Sequence, residues 1–162
     1  MRWEELDKEP CSLARTLSVV GDRWTLLVLR ECFLGVCRFD MFERRLKVTR
    51  HILTSRLKKL VEQGVLYKTP YQQSPLREEY RLTDKGLELH PIVMTLVDWG
   101  NRHMSDSRGA PIIHIHKPCG HSMQPVTVCS HCGEKVEAKN VKVEVGKSWL
   151  NQAELLLPKR VE

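Results

Sequence analysis

TRHILTSRLKKLVEQ, residues 49–63, is the stretch from which the rest of the chain is interpreted. Threonine is favourable before the first turn of a helix, and Gly64 permits the left-handed turn that ends many helices. Leu53, Leu57 and Leu60 recur at three- and four-residue steps, so the stretch predicts a helix with one leucine-lined face. The other face carries side chains of the kind that contact phosphates and base edges in a major groove, namely Thr49, Arg50, His51, Thr54, Ser55 and Lys58.

Positive charge is concentrated around this helix. Between Arg38 and Leu60 there are eight Arg or Lys residues against Asp40 and Glu43, a local excess of six. The whole chain has a formal net charge of +6, so the basic surplus lies in this region. A basic helix face is often only solvated, but this concentration of charge favours contact with double-stranded DNA.

Length and composition limit the class of protein. A chain of 162 residues can form one main domain with a small appendage, and 41% hydrophobic with 28% charged residues is ordinary for a globular fold. Residues 1–10 lack the features of a secretion signal, and no apolar run approaches the roughly 20 residues of a membrane span. We therefore expect a cytoplasmic protein without a membrane partner. In that reducing compartment, the six cysteines favour metal binding or thiol chemistry over disulfides.

Residues 12–32, SLARTLSVVGDRWTLLVLREC, predict helical structure in the core. Ser12 is a good N-cap, and Gly21 with Asp22 is a candidate break between two helices. Apolar residues recur at helical spacing, and we expect much of the core from Leu13, Leu17, Val20, Trp24, Leu27 and Val28.

Cys11 is a candidate redox or electrophile sensor. A thiol at a helix start lies at the positive end of the helix dipole, and Arg15 is one turn away, so both favour a thiolate. Acidic residues between 4 and 9 act in the opposite direction, and Cys11 as a small packing residue is the alternative. Cys32 and Cys37 are expected to be core or boundary residues.

A helix-turn-helix with a wing follows. Residues 38–47 predict a short amphipathic helix, and a tight turn joins it to the helix at 49–63. Two strands, at 65–71 and 79–82, are then joined by a polar loop that contains Gln72, Gln73, Ser74, Pro75 and Arg77. The candidate wing contacts to a DNA backbone or minor groove are Lys68, Gln72, Gln73 and Arg77.

A long apolar helix is predicted from Thr83 to Met104, with a bend at Pro91. Its apolar residues are Leu89, Ile92, Val93, Leu96, Val97 and Trp99. A domain of this size has little spare core for so much apolar surface, so we expect part of the helix to pair with a second copy in a homodimer. The alternative is a helix wholly buried in its own subunit.

The motifs from Cys11 to Met104 resemble the HxlR-type winged helix-turn-helix regulators of bacteria, which are related to the MarR type. The resemblance is carried by CSLARTLSVVGDRWTLLVLRECFLG, RFDMFERRLKVTRHILTSRLKKLVEQGVL and the wing ending in REEYRLTDKG. It implies a homodimer on a pseudo-palindromic operator, with the helix from Thr49 in the major groove. The N-terminal helix and the long C-terminal helix would build the interface.

A small-molecule or redox inducer is expected, and the candidate inputs are oxidation at Cys11, a small aromatic ligand between the long helices, or metal occupancy. In some members of the family, the cysteine at the position of Cys11 senses quinones, aldehydes or oxidants. The proline that often follows that cysteine is Ser12 here.

Beyond residue 109, the spacing of histidine and cysteine predicts a structural zinc site. Two pairs of candidate ligands, His116 with Cys119 and Cys129 with Cys132, each have two residues between them and a glycine after them. Nine residues separate Cys119 from Cys129. The predicted ligands are His116, Cys119, Cys129 and Cys132, a closed set without a vacant position for catalysis. His121 is an alternative fourth ligand. The other interpretations are that the three cysteines are free thiols on a loop, or that Cys129 and Cys132 form a redox pair. Strands are expected at 125–128 and 136–145.

Together these patterns predict a mainly α fold with a small β wing. Residues 1–108 would form the winged helix-turn-helix DNA-binding and dimerisation domain, and residues 109–147 a small β-rich zinc-ribbon-like module. In the tail, residues 148–162, Trp149 and Leu155 to Leu157 could dock on the body. The predicted function is a sequence-specific dimeric transcriptional regulator, and the alternative is an adaptor that uses both modules for protein contacts. No paired-carboxylate, Ser/His/Asp or phosphate-loop pattern indicates an enzyme.

Overall fold

The computed structural model describes residues 3–147 of the 162. The predicted docking of Trp149 and Leu155 to Leu157 therefore lies outside the described residues. The described residues form two parts: the body, residues 3–104, and the extension, residues 105–147.

The body consists of helices and one β-hairpin. After a 3-10 helix, Trp3–Lys8, the helices are α1 (Ser12–Val20), α2 (Arg23–Phe33), α3 (Phe39–Leu46), α4 (Arg50–Glu62), α5 (Asp84–Leu87) and α6 (His90–Met104). Between α4 and α5, β1 (Leu66–Gln73) pairs antiparallel with β2 (Leu76–Leu82), so that Leu66 faces Leu82 and Gln73 faces Leu76. This order of elements is a helix-turn-helix followed by a wing. Among residues 3–147, no helix combines the length and apolar character needed to cross a membrane.

The core is organised around the predicted leucine face of α4. Leu53, Leu57 and Leu60 are at most 1% exposed, and they pack in one cluster with Phe42 of α3 and Leu29 of α2. Burial of one such side chain stabilises a fold by about 1.5–3 kcal/mol. The predicted orientation of α4, leucines inward, is therefore confirmed. Its end is also as predicted, since Gly64 adopts the left-handed conformation with φ +65°.

The start of α4 differs from the prediction. Thr49 occupies the N-cap position with extended backbone, but its side chain makes no capping hydrogen bond. The turn from α3 is instead made by Lys47, which adopts φ +51° and whose N–H donates to Glu43 O at 3.1 Å. Val48 follows and is buried, so the packing of this turn fixes where α4 begins.

Residues 12–32 form two helices, α1 and α2, and the break between them falls at Gly21 and Asp22 as expected. The Asp22 carboxylate caps α2 by accepting from the backbone N–H groups of Trp24 at 3.0 Å and Thr25 at 3.2 Å. The prediction of Ser12 as the N-cap of α1 is wrong, because Cys11 takes that position and its sulfur accepts from Ala14 N–H at 3.4 Å.

The first helix contributes less to the core than its pattern suggested. Val20 and Val28 are buried, but Leu13 and Leu17 of α1 are exposed. Apolar spacing identifies a helix face, and only packing decides whether that face is covered within the same chain.

The wing is longer and its turn tighter than predicted. Pairing of β1 with β2 continues through a bulge between Pro70 and Gln72. Gln72, Gln73 and Arg77 therefore lie in the strands, and only Ser74 and Pro75 form the turn. Most wing residues are exposed on both strands, so polar side chains do not prevent the ladder from extending.

The prediction of a single long helix from Thr83 to Met104 is wrong, because two helices occupy this segment. Thr83 caps the short α5, accepting from Gly86 N–H at 3.0 Å. A Cβ at Gly86 would lie 2.2 Å from the Val65 carbonyl oxygen, so this close approach requires glycine. Pro91 lies in the first turn of α6, where no N–H partner is lost, rather than at a bend.

The extension contains little regular structure. A short ladder pairs β3 (His114–Ile115) with β4 (Ser122–Met123), and a 3-10 turn spans Ala138–Asn140. The prediction of strands at 125–128 and 136–145 is wrong, since the structure has only an isolated bridge between Val128 and Lys135 there. No described residue after Asp98 is buried, so a strand here has no apolar layer to pack on.

Candidate nucleic-acid interface

The outer face of α4 presents the predicted DNA contacts to solvent. All six residues are exposed, namely Thr49, Arg50, His51, Thr54, Ser55 and Lys58. The buried leucines on the opposite side hold this face away from the core. The arrangement combines a rigid helix with a row of hydrogen-bond donors, which is what reading of a major groove requires.

Arg50 is held at the beginning of that face by residues of α3. Its guanidinium lies 3.5 Å from Glu43 Oε2 and 4.7 Å from the centroid of the Phe39 ring. The side chain nevertheless remains 74% exposed. Arg50 is therefore oriented by α3 and still accessible to a ligand.

Not every basic residue of the region belongs to this face. Arg56 forms a two-pronged ion pair with Asp22, with Nε to Oδ1 at 2.8 Å and Nη2 to Oδ2 at 3.2 Å. Lys59 donates to the Ser18 carbonyl oxygen. Both side chains attach α4 to the elements behind it, so the local charge excess overstates the charge available to DNA. Sequence counting cannot detect this, because the partners are 34 and 41 positions away.

Asp22 connects the capping of α2 to the placement of α4. Burial opposes the charged form of this carboxyl, but the Arg56 guanidinium and the N–H groups of Thr25 and Trp24 outweigh burial and lower the pKa of Asp22. A carboxylate that accepts from two backbone N–H groups and one guanidinium is fixed in position.

Glu31 is a second positioning group that the sequence did not reveal. Its side chain is 2% exposed and forms ion pairs with Arg30 and with Arg45 of α3. A buried carboxylate without a partner would be strongly destabilising, so these arginines are required by the fold. Arg45 thereby joins α3 to α2 and supports the helix that braces α4.

The candidate wing residues are less available than those of α4. Lys68 Nζ lies 2.9 Å from Glu78 Oε2, and this hydrogen bond raises the pKa of Lys68. Gln72 is half-buried and donates to the Ser74 carbonyl oxygen at 3.1 Å. Arg77 is exposed opposite Gln72 in the hairpin. The wing therefore presents less unpaired positive charge than its sequence indicated.

The base of the wing contains the two cysteines expected at a boundary. Burial raises the pKa of Cys32 to about 12, and the nearby Cys37 thiol and Glu31 act in the same direction. Burial also raises the pKa of Cys37, whose thiol donates to Glu79 Oε2 at 3.3 Å. Neither environment favours a reactive thiolate, which agrees with the predicted packing role.

The predicted metal ligands of the extension are brought together in two pairs. His116 Nδ1 lies 3.2 Å from Cys119 Sγ. Hydrogen bonds from the backbone N–H groups of Cys132 and His131, and then from the Cys132 side chain, lower the pKa of Cys129. Within residues 3–147, no three His, Cys, Asp or Glu side chains form a cluster that could hold a metal ion.

Large apolar side chains of α1 and α6 are exposed in the described part of the chain. We call them the apolar surface, and its members are Leu13, Leu17, Ile92, Leu96 and Trp99. Trp99 is 53% exposed, which is unusual for so large an apolar side chain. Exposed apolar patches are typical of interaction sites.

The pattern of the HxlR-like helix-turn-helix family matches residues 19–108, more than half of the chain. The chain belongs to the HxlR-like helix-turn-helix family. The matched range contains α4, the wing and α6, whereas α1, the other helix of the apolar surface, lies almost entirely before it.

Two relatives from different bacteria illustrate how far the similarity extends. This HxlR-like protein is 44% identical over 135 residues to Rv3095 of Mycobacterium tuberculosis, an uncharacterized HTH-type transcriptional regulator, and the match covers 83% of this chain and 85% of Rv3095. YdeP of Bacillus subtilis, also named an uncharacterized HTH-type transcriptional regulator, is 34% identical over 60% of this chain and 77% of its own length.

The matches to solved structures also include a longer one and a shorter one. The structure of PA1607, a candidate transcription factor, aligns with a TM-score of 0.77 and 32% identity over 85% of this chain and 96% of PA1607. The redox regulator HypR in its oxidized form aligns with a TM-score of 0.55 and 32% identity over 59% of this chain and 100% of HypR. Residues 1–108 are two thirds of the HxlR-like chain, so the Rv3095 and PA1607 matches must extend beyond the body. The matches to YdeP and HypR are short enough for the body alone.

Proposed function

We propose that this protein is a sequence-specific DNA-binding regulator of transcription that acts as a homodimer on a pseudo-palindromic operator. The observation that carries the proposal is the outer face of α4, where six polar or basic residues are exposed on a helix anchored by buried leucines. The names of Rv3095 and YdeP as HTH-type transcriptional regulators support the same assignment.

In this proposal, α4 enters the major groove and the wing contacts the adjacent backbone. Arg50 reads a base edge from the first turn of α4, and Thr54, Ser55 and Lys58 contact bases or phosphates further along. The wing contributes affinity rather than specificity because it contacts the phosphate backbone. Its contribution is reduced because Lys68 is already paired with Glu78.

The apolar surface of α1 and α6 is proposed to bury itself against the same surface of a second copy. A two-fold axis would place two α4 helices on one side of the dimer, where they meet half-sites about 34 Å apart. Small shifts at this interface would misalign both helices, so a signal that acts there would release DNA.

The test of DNA recognition begins with sequences that the full-length protein retains from a genomic library. Binding to a recovered sequence should weaken steeply between about 50 and 200 mM salt. Arg50→Ala should weaken it about 5- to 150-fold if Arg50 reads a base, and should relax preference at one position of each half-site. Arg108→Ala is the matched control, because Arg108 is an exposed arginine beyond α6 that is paired with Asp106.

Equal affinity for all DNA sequences at moderate salt would contradict the proposal. So would equal effects of Arg50→Ala and Arg108→Ala. Either outcome would favour the adaptor function, in which both modules contact other proteins.

The dimer is tested by sedimentation of variants. Leu96→Glu should dissociate it, because the introduced carboxylate would be desolvated at the interface. Leu76→Glu at the wing tip is the control, since Leu76 is a similarly exposed leucine outside the apolar surface. A monomeric wild-type protein at micromolar concentration, or equal behaviour of the two variants, would contradict this arrangement.

The input signal is proposed to include oxidation or alkylation of Cys11. The half-exposed Cys11 sulfur caps α1, which carries Leu13 and Leu17 on the proposed interface, so modification would disturb that helix start. Operator release by mild oxidant should be lost in Cys11→Ser, in which the serine oxygen can retain the cap. Unchanged release in this variant would exclude Cys11 as the switch, because the oxidant would then act at another residue.

A further inference from the structure

Residues 116–121 of the extension form a tight turn with a defined hydrogen-bond pattern. The His116 N–H donates to the His121 carbonyl oxygen at 2.9 Å, and the Gly120 N–H donates back to the His116 carbonyl oxygen at 2.8 Å. Gly120 adopts φ +73°, a conformation that residues with a Cβ rarely adopt. The turn directs the side chains at its first and fourth positions to one side, where His116 Nδ1 lies 3.2 Å from Cys119 Sγ.

Residues 129–134 repeat this turn. The Cys129 N–H donates to the Glu134 carbonyl oxygen at 2.8 Å, and the Gly133 N–H donates to the Cys129 carbonyl oxygen at 2.8 Å. Gly133 adopts φ +76°. The two segments therefore share two hydrogen bonds, the same spacing and the same glycine conformation, although only the spacing and the glycines are visible in the sequence.

The repetition decides between the two candidate histidines. His116 occupies the first position of its turn, as Cys129 does in the second, and Cys119 matches Cys132 at the fourth position. His121 matches Glu134 at the sixth position, where the backbone carbonyl closes the turn. The equivalent side chains are thus one imidazole and three thiols, and His121 falls outside the set.

We propose that the full-length chain binds one zinc ion through His116, Cys119, Cys129 and Cys132. Three thiolates and one imidazole match the ligands of closed tetrahedral zinc sites, and two turns with glycine after the second ligand supply two ligands each. The nine residues between Cys119 and Cys129 are a short connection, so little chain entropy opposes bringing the two pairs together.

The metal has a structural purpose in a segment that lacks a core. No described residue of the extension is buried, and the four ligand side chains form two pairs rather than one cluster. Zinc binding would draw the two turns together and order the residues between them. The site is closed and holds no vacant position, so it supplies no catalytic step.

The first experiment measures the metal in full-length protein expressed in zinc-supplemented medium and purified without chelator. We expect one zinc per chain by mass spectrometry of metals. Replacement by Co²⁺ should give thiolate-to-cobalt charge-transfer bands and the visible bands of a tetrahedral site. Protein that contains neither zinc nor bound Co²⁺, or that is isolated with a Cys129–Cys132 disulfide, would overturn the proposal.

Variants then test the ligand set. Cys119→Ser, Cys129→Ser and His116→Ala should each reduce bound zinc at least tenfold under competition with a chelator. His121→Ala is the matched control and should retain one zinc per chain. His116→Cys should also retain it, with stronger thiolate-to-cobalt bands because a fourth sulfur replaces the imidazole.

Loss of metal in His121→Ala with retention in His116→Ala would overturn the assignment. The helical circular dichroism of the body distinguishes a lost ligand from general unfolding, because residues 3–104 have their own core. Zinc content is read without DNA, so the result is independent of the proposed regulatory function.

Discussion

The body and the extension of this protein differ in the interactions that hold the chain in its fold. The body encloses a cluster of fully buried apolar residues around Phe42, Leu53 and Leu57, each at most 1% exposed. The extension contains no buried residue and leaves Ile113, Ile115 and other apolar side chains open to solvent. Apolar burial stabilises the first, whereas the second contains two hydrogen-bonded backbone turns and a short two-stranded ladder.

This difference agrees with the lengths of the matches to related proteins. The matches to YdeP and HypR are no longer than the body, whereas the matches to Rv3095 and PA1607 reach into the extension. A body with its own core can exist without the extension, but a segment of about 40 residues without a core needs another source of free energy.

The largest expected effect on the free energy of unfolding comes from truncating an apolar residue of the body, compared with a similar truncation in the extension. Phe42→Ala should reduce the free energy of unfolding of the body by about 3–5 kcal/mol, because it removes a ring that is 0% exposed. Val128→Ala in the extension should change it by less than about 0.5 kcal/mol, because Val128 is 51% exposed. Urea titration followed by circular dichroism measures both. Similar losses for the two variants would contradict the comparison.

An intermediate effect is expected where the body depends on polar contacts. Asp22→Asn keeps an acceptor for the cap of α2 but removes the charge that pairs with Arg56, so stability should fall by about 1–3 kcal/mol at neutral pH. Because folding lowers the pKa of Asp22, the carboxylate stabilises the body above its unfolded pKa, and this contribution is lost as the pH falls through the lower folded value.

The difference in stability between wild type and Asp22→Asn should therefore be constant above about pH 5 and shrink in stronger acid. Asp106→Asn is the control, since Asp106 pairs with Arg108 on an exposed loop and should give a much smaller difference. A pH-independent difference for Asp22→Asn would contradict the assignment of its effect to the charged pair with Arg56.

The smallest effect is expected in the wing, the least buried part of the body. Arg38 lies over the Tyr71 ring with 4.3 Å from the guanidinium carbon to the ring centroid, a contact that connects the start of α3 to β1. Arg38→Ala should reduce stability by only about 0.5–1 kcal/mol. Hydrogen exchange of the hairpin amides measures whether the wing loosens, and unchanged exchange would mean that β1–β2 pairing alone fixes it.

The organisation of the body was largely predictable because its signals are local. The leucine spacing of α4, the break at Gly21 and Asp22 and the hairpin after Gly64 are all visible within a few residues. The errors concern boundaries: one helix is predicted from Thr83 to Met104, whereas the structure has two, and Gly86 of the first packs closely against Val65. Such contacts join residues about 20 positions apart and leave no periodic signal.

The sequence by itself determined which face of α4 is apolar and which residues of the extension have ligand spacing, because helix periodicity and turn spacing depend on neighbouring residues. Only the tertiary structure decided that Arg56 and Lys59 bind the body instead of facing solvent, and that Leu13 and Leu17 are exposed. It also decided that His116 and Cys129 occupy equivalent positions in two matching turns. The physical reason is that charge and hydrophobicity are properties of a residue, whereas partners and burial depend on the elements that pack around it.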